Sequence, residues 1–297
     1  VAIGKYTVNE VEERTKVGAS TLRQWERRYG FPKPERTESG YRLYSDEDLR
    51  QIEAMKQHIA EGIPASRAAE LVKNLTPTPS GPRSLAVLKH ELVEVLSKLD
   101  EVAADRILSE AHALHTVEAV MLELLQASMI EIGHLWHDGK VSTATEHFAS
   151  SYVQGRLRSL LSITAHVRNA PAVIVACAPG EQHELGALVL AVLLRRAGYR
   201  LYFLGANTPL ADLRELARQV KAIGVMISAS SSEAVQRLMA ERGQLIGIAP
   251  VLAFGGLAFN EHPELAKVLG GVYLAASADQ AVEQFHDLVQ AQGALRA

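Results

Sequence analysis

The sequence predicts a multidomain chain made of an all-α winged helix-turn-helix, a four-helix bundle and a doubly wound α/β domain with five parallel strands. Three observations carry that expectation. The segment Thr76-Pro77-Thr78-Pro79-Ser80-Gly81-Pro82 excludes a regular element and marks a linker. From Ser84 to about His166 apolar residues recur at helical spacing. After Pro171 short apolar runs alternate with amphipathic stretches, the pattern of a parallel sheet wrapped by helices. The boundaries that follow are residues 1–75, a linker at 76–83, a bundle at 84–169 and an α/β domain at 170–297.

In chain order, Val8 to Thr15 reads as a short helix and Val17-Gly18-Ala19 as a turn. Ser20 or Thr21 caps a second helix, with Thr21 and Gln24 at capping-box spacing, and this helix stops at Gly30. Phe31-Pro32-Lys33-Pro34 forces an extended exit, Ser39-Gly40 a turn, and Tyr41 to Tyr44 a wing strand. Ser45 caps the next helix with Asp48, and Pro64 opens a further one. In the bundle, Leu85, Leu88, Leu92, Val95, Leu96 and Leu99 form the first apolar stripe. The strand runs are Val173 to Ala178, Arg200 to Gly205, Gly224 to Ala229, Val251 to Phe254 and Val272 to Ala275.

Composition narrows the function classes. With 297 residues, 47% hydrophobic and 22% charged, the chain is globular and has enough length for more than one core. The longest apolar run, Leu185 to Leu194, falls short of the roughly 18 residues that span a bilayer. A secretory leader is not expected, and Cys177, the only cysteine, cannot form an internal disulfide, so a cytoplasmic setting is expected. The net charge of −3 points to no polyanionic partner, but its distribution does. Thr21 to Tyr44 holds Arg23, Arg27, Arg28, Lys33, Arg36 and Arg42 against Glu26, Glu35 and Glu38. A helix-turn-helix with a basic wing can lay its second helix in the major groove while arginines neutralise phosphates, although a solvated charged helix gives the same composition.

The run Thr21-Leu22-Arg23-Gln24-Trp25-Glu26-Arg27-Arg28-Tyr29-Gly30, with Pro32, Pro34, Arg36 and Gly40-Tyr41-Arg42-Leu43-Tyr44, resembles the winged helix-turn-helix of the MerR family over residues 6–73. The resemblance implies a double-stranded promoter DNA partner. It places Arg23, Gln24, Arg27 and Arg28 at the groove and Arg36, Tyr41 and Arg42 on phosphates from the wing. Leu22 and Trp25 fit a core role equally well. Many members continue into a long dimerising helix, whereas here a proline linker intervenes, so self-association is expected from elsewhere in the chain.

In an open parallel sheet, ligands bind beyond the carboxyl ends of the strands, and His183 falls in the loop after the first strand. A neutral imidazole there can ligate a transition metal while Glu181 holds its other N–H. On the residues alone, a surface or capping histidine is the plainer reading. Glu181-x-His183-x-x-Gly186, Ser228 at the third strand and Gly255-Gly256 after the fourth resemble the flavodoxin-like cobalamin-binding domain of methionine synthase and the mutases. By that resemblance His183 is the lower axial cobalt ligand, and the cofactor's nucleotide tail runs past these positions and Gly205. The family pattern starts with Asp and reads Ser-x-Leu, where this chain has Glu181 and Ser228-Ala229-Ser230.

Five of the 11 histidines, His112, His115, His134, His137 and His147, fall between His112 and His147, with Glu131 and Glu146 interleaved. Glu131 and His134 have the i, i+3 spacing of di-iron bundles, but such sites repeat the motif on a second helix. Glu146 and His147 are adjacent and are expected to point in different directions. Trp136, His137, Glu146 and His147 permit another reading, in which an aromatic wedge and a polar acceptor cover a corrin, although Trp136 also fits a bundle core. With both flanking modules, the whole chain resembles the CarH family of light-sensing repressors that use adenosylcobalamin. The resemblance implies that Trp136 covers the adenosyl group, Glu146 bonds its ribose and His147 shares that pocket, while His137 is the candidate upper cobalt ligand after photolysis. It further implies a non-enzymatic repressor, tetrameric in the dark and dissociating in light, that controls carotenoid genes. The rival readings are a cobalamin-sensing repressor indifferent to light, and a corrinoid methyltransferase or carrier.

Overall fold

The structure, a computed structural model, describes residues 4–37, 40–73, 83–165, 167 and 169–294. It contains two compact units, Val1–Arg83 and Ser84–Ala297. Ser39 and, apart from Arg83, the proline-rich linker at 76–83 lie outside the described residues.

The first unit runs β1 (Tyr6–Thr7), α1 (Val8–Thr15), α2 (Ala19–Tyr29), β2 (Glu35–Arg36), β3 (Arg42–Tyr44), α3 (Asp46–Ala60) and α4 (Ala65–Lys73). The strands pair antiparallel in the order β1-β3-β2, so the wing strand docks on the chain's start as well as on β2. Val11, Leu22, Trp25, Tyr44, Ile52 and Met55 form the core, which settles Leu22 and Trp25 as core residues. Helix α2 starts earlier than expected. Glu12 of α1 accepts from the Ala19 backbone N–H at 3.2 Å, a cap supplied by another helix, and Ser20 and Thr21 fall inside the first turn. Gly30, at φ 63°, closes α2 as expected. Ser45 and Asp48 form the expected capping box of α3. Pro64 stands one residue before α4 and its carbonyl accepts from Ala68 N at 2.9 Å.

The second unit opens with a four-helix bundle. Its helices are α5 (Leu85–Ser97), α6 (Glu101–Leu114), a third rod, and α9 (Thr143–Ile163). The third rod runs from α7 (Val117–Ala119) through a π-helical turn at Val120–Gln126 into α8 (Ala127–His137). Leu85, Leu88, Leu92 and Leu96 are buried as the stripe predicted. Leu99 is not, because α5 ends at Ser97 and Leu99 sits in the left-handed region at φ 62°, more than half exposed.

The rest is β4 (Ala172–Cys177), α10 (Leu185–Arg196), β5 (Arg200–Gly205), α11 (Leu210–Val220), β6 (Gly224–Ser228), α12 (Ser232–Ala240), β7 (Val251–Gly255), α13 (Leu257–Glu261), α14 (Glu264–Val268), β8 (Val272–Tyr273) and α15 (Ala278–Ala294). All five strands are parallel in the order β5-β4-β6-β7-β8, the doubly wound sheet the sequence predicts. Each face of β4 feeds a different core. Val173, Val175 and Cys177 meet α10 and α15, while Ile174 and Ala176 meet α11 and α12.

Helix α10 explains why the longest apolar run of the chain is not a membrane span. Ala187, Ala191 and Leu194 pack on the sheet, and Leu188, Val189, Val192 and Leu193 join the bundle core, so the helix is wrapped on both sides. No helix among the described residues is long and apolar enough to cross a membrane. The bundle and the sheet therefore share one helix as a common wall.

Candidate functional site

The loop after β4 places His183 at the carboxyl end of the sheet, beside the point where strand order reverses between β4 and its neighbours. Its imidazole is 80% exposed, whereas the Glu181 carboxylate beneath it is only 1% exposed. Glu181 Oε1 accepts from His183 Nδ1 at 2.7 Å and from the His183 backbone N–H at 2.8 Å. Its Oε2 accepts from the backbone N–H groups of Ser230, at 2.6 Å, and Ser231, at 3.2 Å. Burial pushes the Glu181 pKa up, but these N–H donors and the imidazole outweigh it and hold the carboxyl below its ordinary range. An ionised carboxylate only accepts, so Nδ1 carries a proton, and this bond leaves Nε2 on the side of the ring away from Glu181.

The longer acid in place of Asp thus reaches both the histidine and the loop after β6. The absent leucine of the Ser-x-Leu pattern changes nothing in this tie, because Ser230 contributes its backbone. Two further residues, with no signal in the sequence pattern, complete the loop. Asn207 Oδ1 accepts from Gly180 N at 2.7 Å, and Asn207 N donates to the Glu181 carbonyl at 2.8 Å. Arg158 of α9 bonds the Glu184 carboxylate, which also accepts from Ala206 N at 3.1 Å.

The remaining positions of this end fall into two kinds. Gly186 and Gly255 face open space, and Ser228 ends β6 with its carbonyl accepting from Ala178 N at 2.9 Å. Gly256 is at φ +93°, and a Cβ there would lie 2.5 Å from the Ala229 carbonyl oxygen, so only glycine fits. At Gly205 the space a Cβ needs is taken by Glu184, whose Oε2 would be 2.7 Å away. Gly205 therefore makes room for a carboxylate and not for an open slot. Leu204, near the end of β5, and Leu257, the first residue of α13 just after β7, are exposed apolar side chains. Cys177 lies under the loop, and burial, with the nearby Glu184 and Glu181 charges, pushes its thiol up to about 12.

On the bundle, Trp136 ends α8 with 47% of its surface exposed, which removes the core reading of this residue. Its indole N–H donates to Thr143 Oγ1 at 3.1 Å, pinning the end of α8 to the start of α9. Glu146 Oε2 and His147 Nδ1 are 2.8 Å apart, so these neighbours bend together and do not diverge as expected. Glu146 is a quarter exposed, and His147 and His137 face solvent. Glu131 is paired with Lys89 at 2.8 Å, and no group of three metal-ligating side chains occurs among the described residues.

In the first unit, Arg23, Gln24, Arg27 and Arg28 line the exposed face of α2, opposite the buried Leu22 and Trp25. Tyr41 projects from the wing, 74% exposed. Arg36 and Arg42 both reach Glu26 of α2, at 3.3 and 2.8 Å, so the two wing cations are tied to the helix they flank.

Comparison with known proteins accounts for each of these regions. Residues 6–75 match the MerR HTH family regulatory protein family, and residues 88–161 and 171–286 match two B12 binding domain families. The HTH-type transcriptional repressor CarA of Myxococcus xanthus is 31% identical over 96% of this chain and 98% of its own length. The HTH-type transcriptional repressor CarH of the same organism is 29% identical over 89% and 93%. The second unit shares its fold with the monomethylamine corrinoid protein of Methanosarcina barkeri, with a TM-score of 0.58, 14% identity, and 69% of this chain against all of that one.

Proposed function

This chain belongs to the family of cobalamin-binding, MerR-type transcriptional repressors that includes CarA and CarH, and from that premise we propose a light-gated repressor that uses adenosylcobalamin as chromophore. It binds promoter DNA as a homotetramer in the dark and releases it in light, acting in the cytoplasm on genes of carotenoid synthesis and catalysing no reaction of its own. The observation that carries the reading is His183, whose Nδ1 is locked to a buried carboxylate while Nε2 stays free at the ligand-binding end of the sheet. Open space at Gly186 and Gly255, with exposed Leu204 and Leu257, fits a large and partly apolar ring system at the same end.

Within this reading His183 would hold the cobalt through Nε2, and Glu181 would set its tautomer. Gly186, Ser228, Gly255 and Gly256 border the path of the nucleotide tail. Trp136 shields the upper ligand from water, Glu146 accepts from a ribose hydroxyl, and His147 orients Glu146. Bound adenosylcobalamin supplies a weak cobalt–carbon bond that visible light breaks. His137, beside Trp136 and exposed, would be the residue able to hold the cobalt from the bundle side, and a shift of α8 that brought it there would be the two-state element coupled to subunit contacts. Arg23, Gln24, Arg27 and Arg28 read the groove, with Arg36, Tyr41 and Arg42 on the wing. Dissociation lowers DNA affinity by removing multivalency and leaves each reading head unchanged.

Size-exclusion chromatography with in-line light scattering and absorbance tests this on protein loaded with adenosylcobalamin, in darkness and after green illumination. A cobalamin-bearing oligomer that loses mass in light is the expected result. Bound cofactor with no change in mass supports a light-indifferent cobalamin sensor, and no bound cobalamin overturns the reading.

A further inference from the structure

Three elements meet on one carboxylate beside the axial loop. Glu184 directly follows His183, caps the start of α10 and has a side chain only 8% exposed. Oε1 accepts from the Arg158 guanidinium on α9, and Oε2 accepts from Ala206 N just past the end of β5. The bare Cα of Gly205 permits that approach. Arg158 also lies over the Phe203 ring, 5.8 Å from its centroid. Bundle, axial loop and strand end are thus joined at the residue next to the proposed cobalt ligand.

The other ties between bundle and sheet are of a different kind or in a different place. Leu188, Val189, Val192 and Leu193 of α10 pack into the bundle core, but apolar packing is non-directional. Arg195 and Arg196 bond the Leu161 carbonyl and Glu118 at the far end of α10. That end is about 18 Å from the loop along a helix of 12 residues. A charge-assisted bond fixes a distance, and Arg158 to Glu184 fixes it at the loop end. Helix α9 is continuous from Thr143 to Ile163 and carries Glu146 in its first turn. Arg158 and Glu184 thus form a directional link from α9, which also carries Glu146, to the residue beside His183.

We propose that Arg158 and Glu184 are specificity-determining positioning residues that hold the bundle's upper-ligand side chains at a set separation from His183 and so favour an adenosyl upper ligand over a smaller alkyl one. The proposal rests on the adenosylcobalamin reading above. Neither residue touches the cobalt. Their bond keeps the span between lower ligand and upper pocket from collapsing onto a small group or opening beyond the reach of Glu146.

The test is the ratio of dissociation constants for methylcobalamin and adenosylcobalamin, titrated in darkness by absorbance on the full chain. In Arg158→Gln and Glu184→Gln the preference for adenosylcobalamin is expected to fall by at least about fivefold, and Arg158→Lys is expected to recover most of it. Arg196→Gln, which breaks the anchor at the far end of α10, is expected to keep the parental ratio. Equal weakening of both cofactors in the Arg158 and Glu184 variants, or no change in either, overturns the positioning role and leaves the adenosylcobalamin reading intact. A parental chain that binds both forms equally overturns the adenosylcobalamin reading and this proposal with it.

Discussion

The loop that carries His183 and the bundle corner that carries Trp136, His137, Glu146 and His147 differ in how firmly they are held. Glu181 is buried, accepts four hydrogen bonds and ties together the loops after β4 and β6. In the bundle corner the side chains of Trp136, Glu146 and His147 make one bond from Trp136 to Thr143 and one between the adjacent Glu146 and His147, and Trp136, His137 and His147 are exposed. One side of the site is thus held by a buried hydrogen-bond network, and the other presents exposed side chains with few bonds of their own.

Removing the His183 imidazole should have the largest effect. His183→Ala is expected to weaken cobalamin binding more than about 100-fold, beyond the 10- to 100-fold typical of losing an outer-shell partner. Absorbance titration measures it, and retention of full affinity would make the loop a scaffold and not a ligand. Glu181→Gln should come next, with a loss of about 10- to 100-fold in cobalamin affinity. It should also lower the stability of the second unit by about 1.5–3 kcal/mol, because bonds to a buried charge become bonds to a neutral amide. A thermal melt identical to the parent's would show that the loop is no better anchored than the bundle corner.

The same carboxylate predicts a pH signature confined to the loop. Its folded pKa is depressed, so its contribution to stability is fully present above the ordinary value of 4.5 and is lost as pH falls through the lower folded value. The difference in melting temperature between parent and Glu181→Gln should stay constant from pH 7 to about 5 and shrink below that. A gap that widens on acidification would reverse the sign of the argument.

What the sequence reveals follows the same division. Strands are legible because runs such as Val173 to Cys177 are apolar at every position, as burial on both faces demands. The bond between Glu181 and His183 is legible because both residues sit in one short loop, two positions apart. Partners distant in sequence leave no such trace: nothing periodic links Arg158 to Glu184, 26 positions apart. The cap on α2 escaped for the same reason, since Glu12 acts from a different helix and competes with the local Ser20 and Thr21. The π-helical turn also left no mark, because Val120, Met121, Leu124 and Leu125 bury one face at a spacing that an α-helix shares. Adjacent Glu146 and His147 were expected to diverge from backbone geometry alone, but their side chains are long enough to curve back and bond.

A smaller stability effect belongs to the bundle corner. Trp136 is 47% exposed and contributes one hydrogen bond, so Trp136→Ala should lower the stability of the apo-protein by about 0.5–1.5 kcal/mol, less than Glu181→Gln. The same variant should lose preference for adenosylcobalamin over methylcobalamin if the exposed part of the ring covers the upper ligand as proposed. A large drop in melting temperature with unchanged selectivity would return Trp136 to the bundle core and remove the contrast between the two regions. A small loss of stability with lost selectivity would set it against Glu181→Gln, which is expected to lose more stability, and would separate a residue that recognises the upper ligand from one that builds the site beneath it.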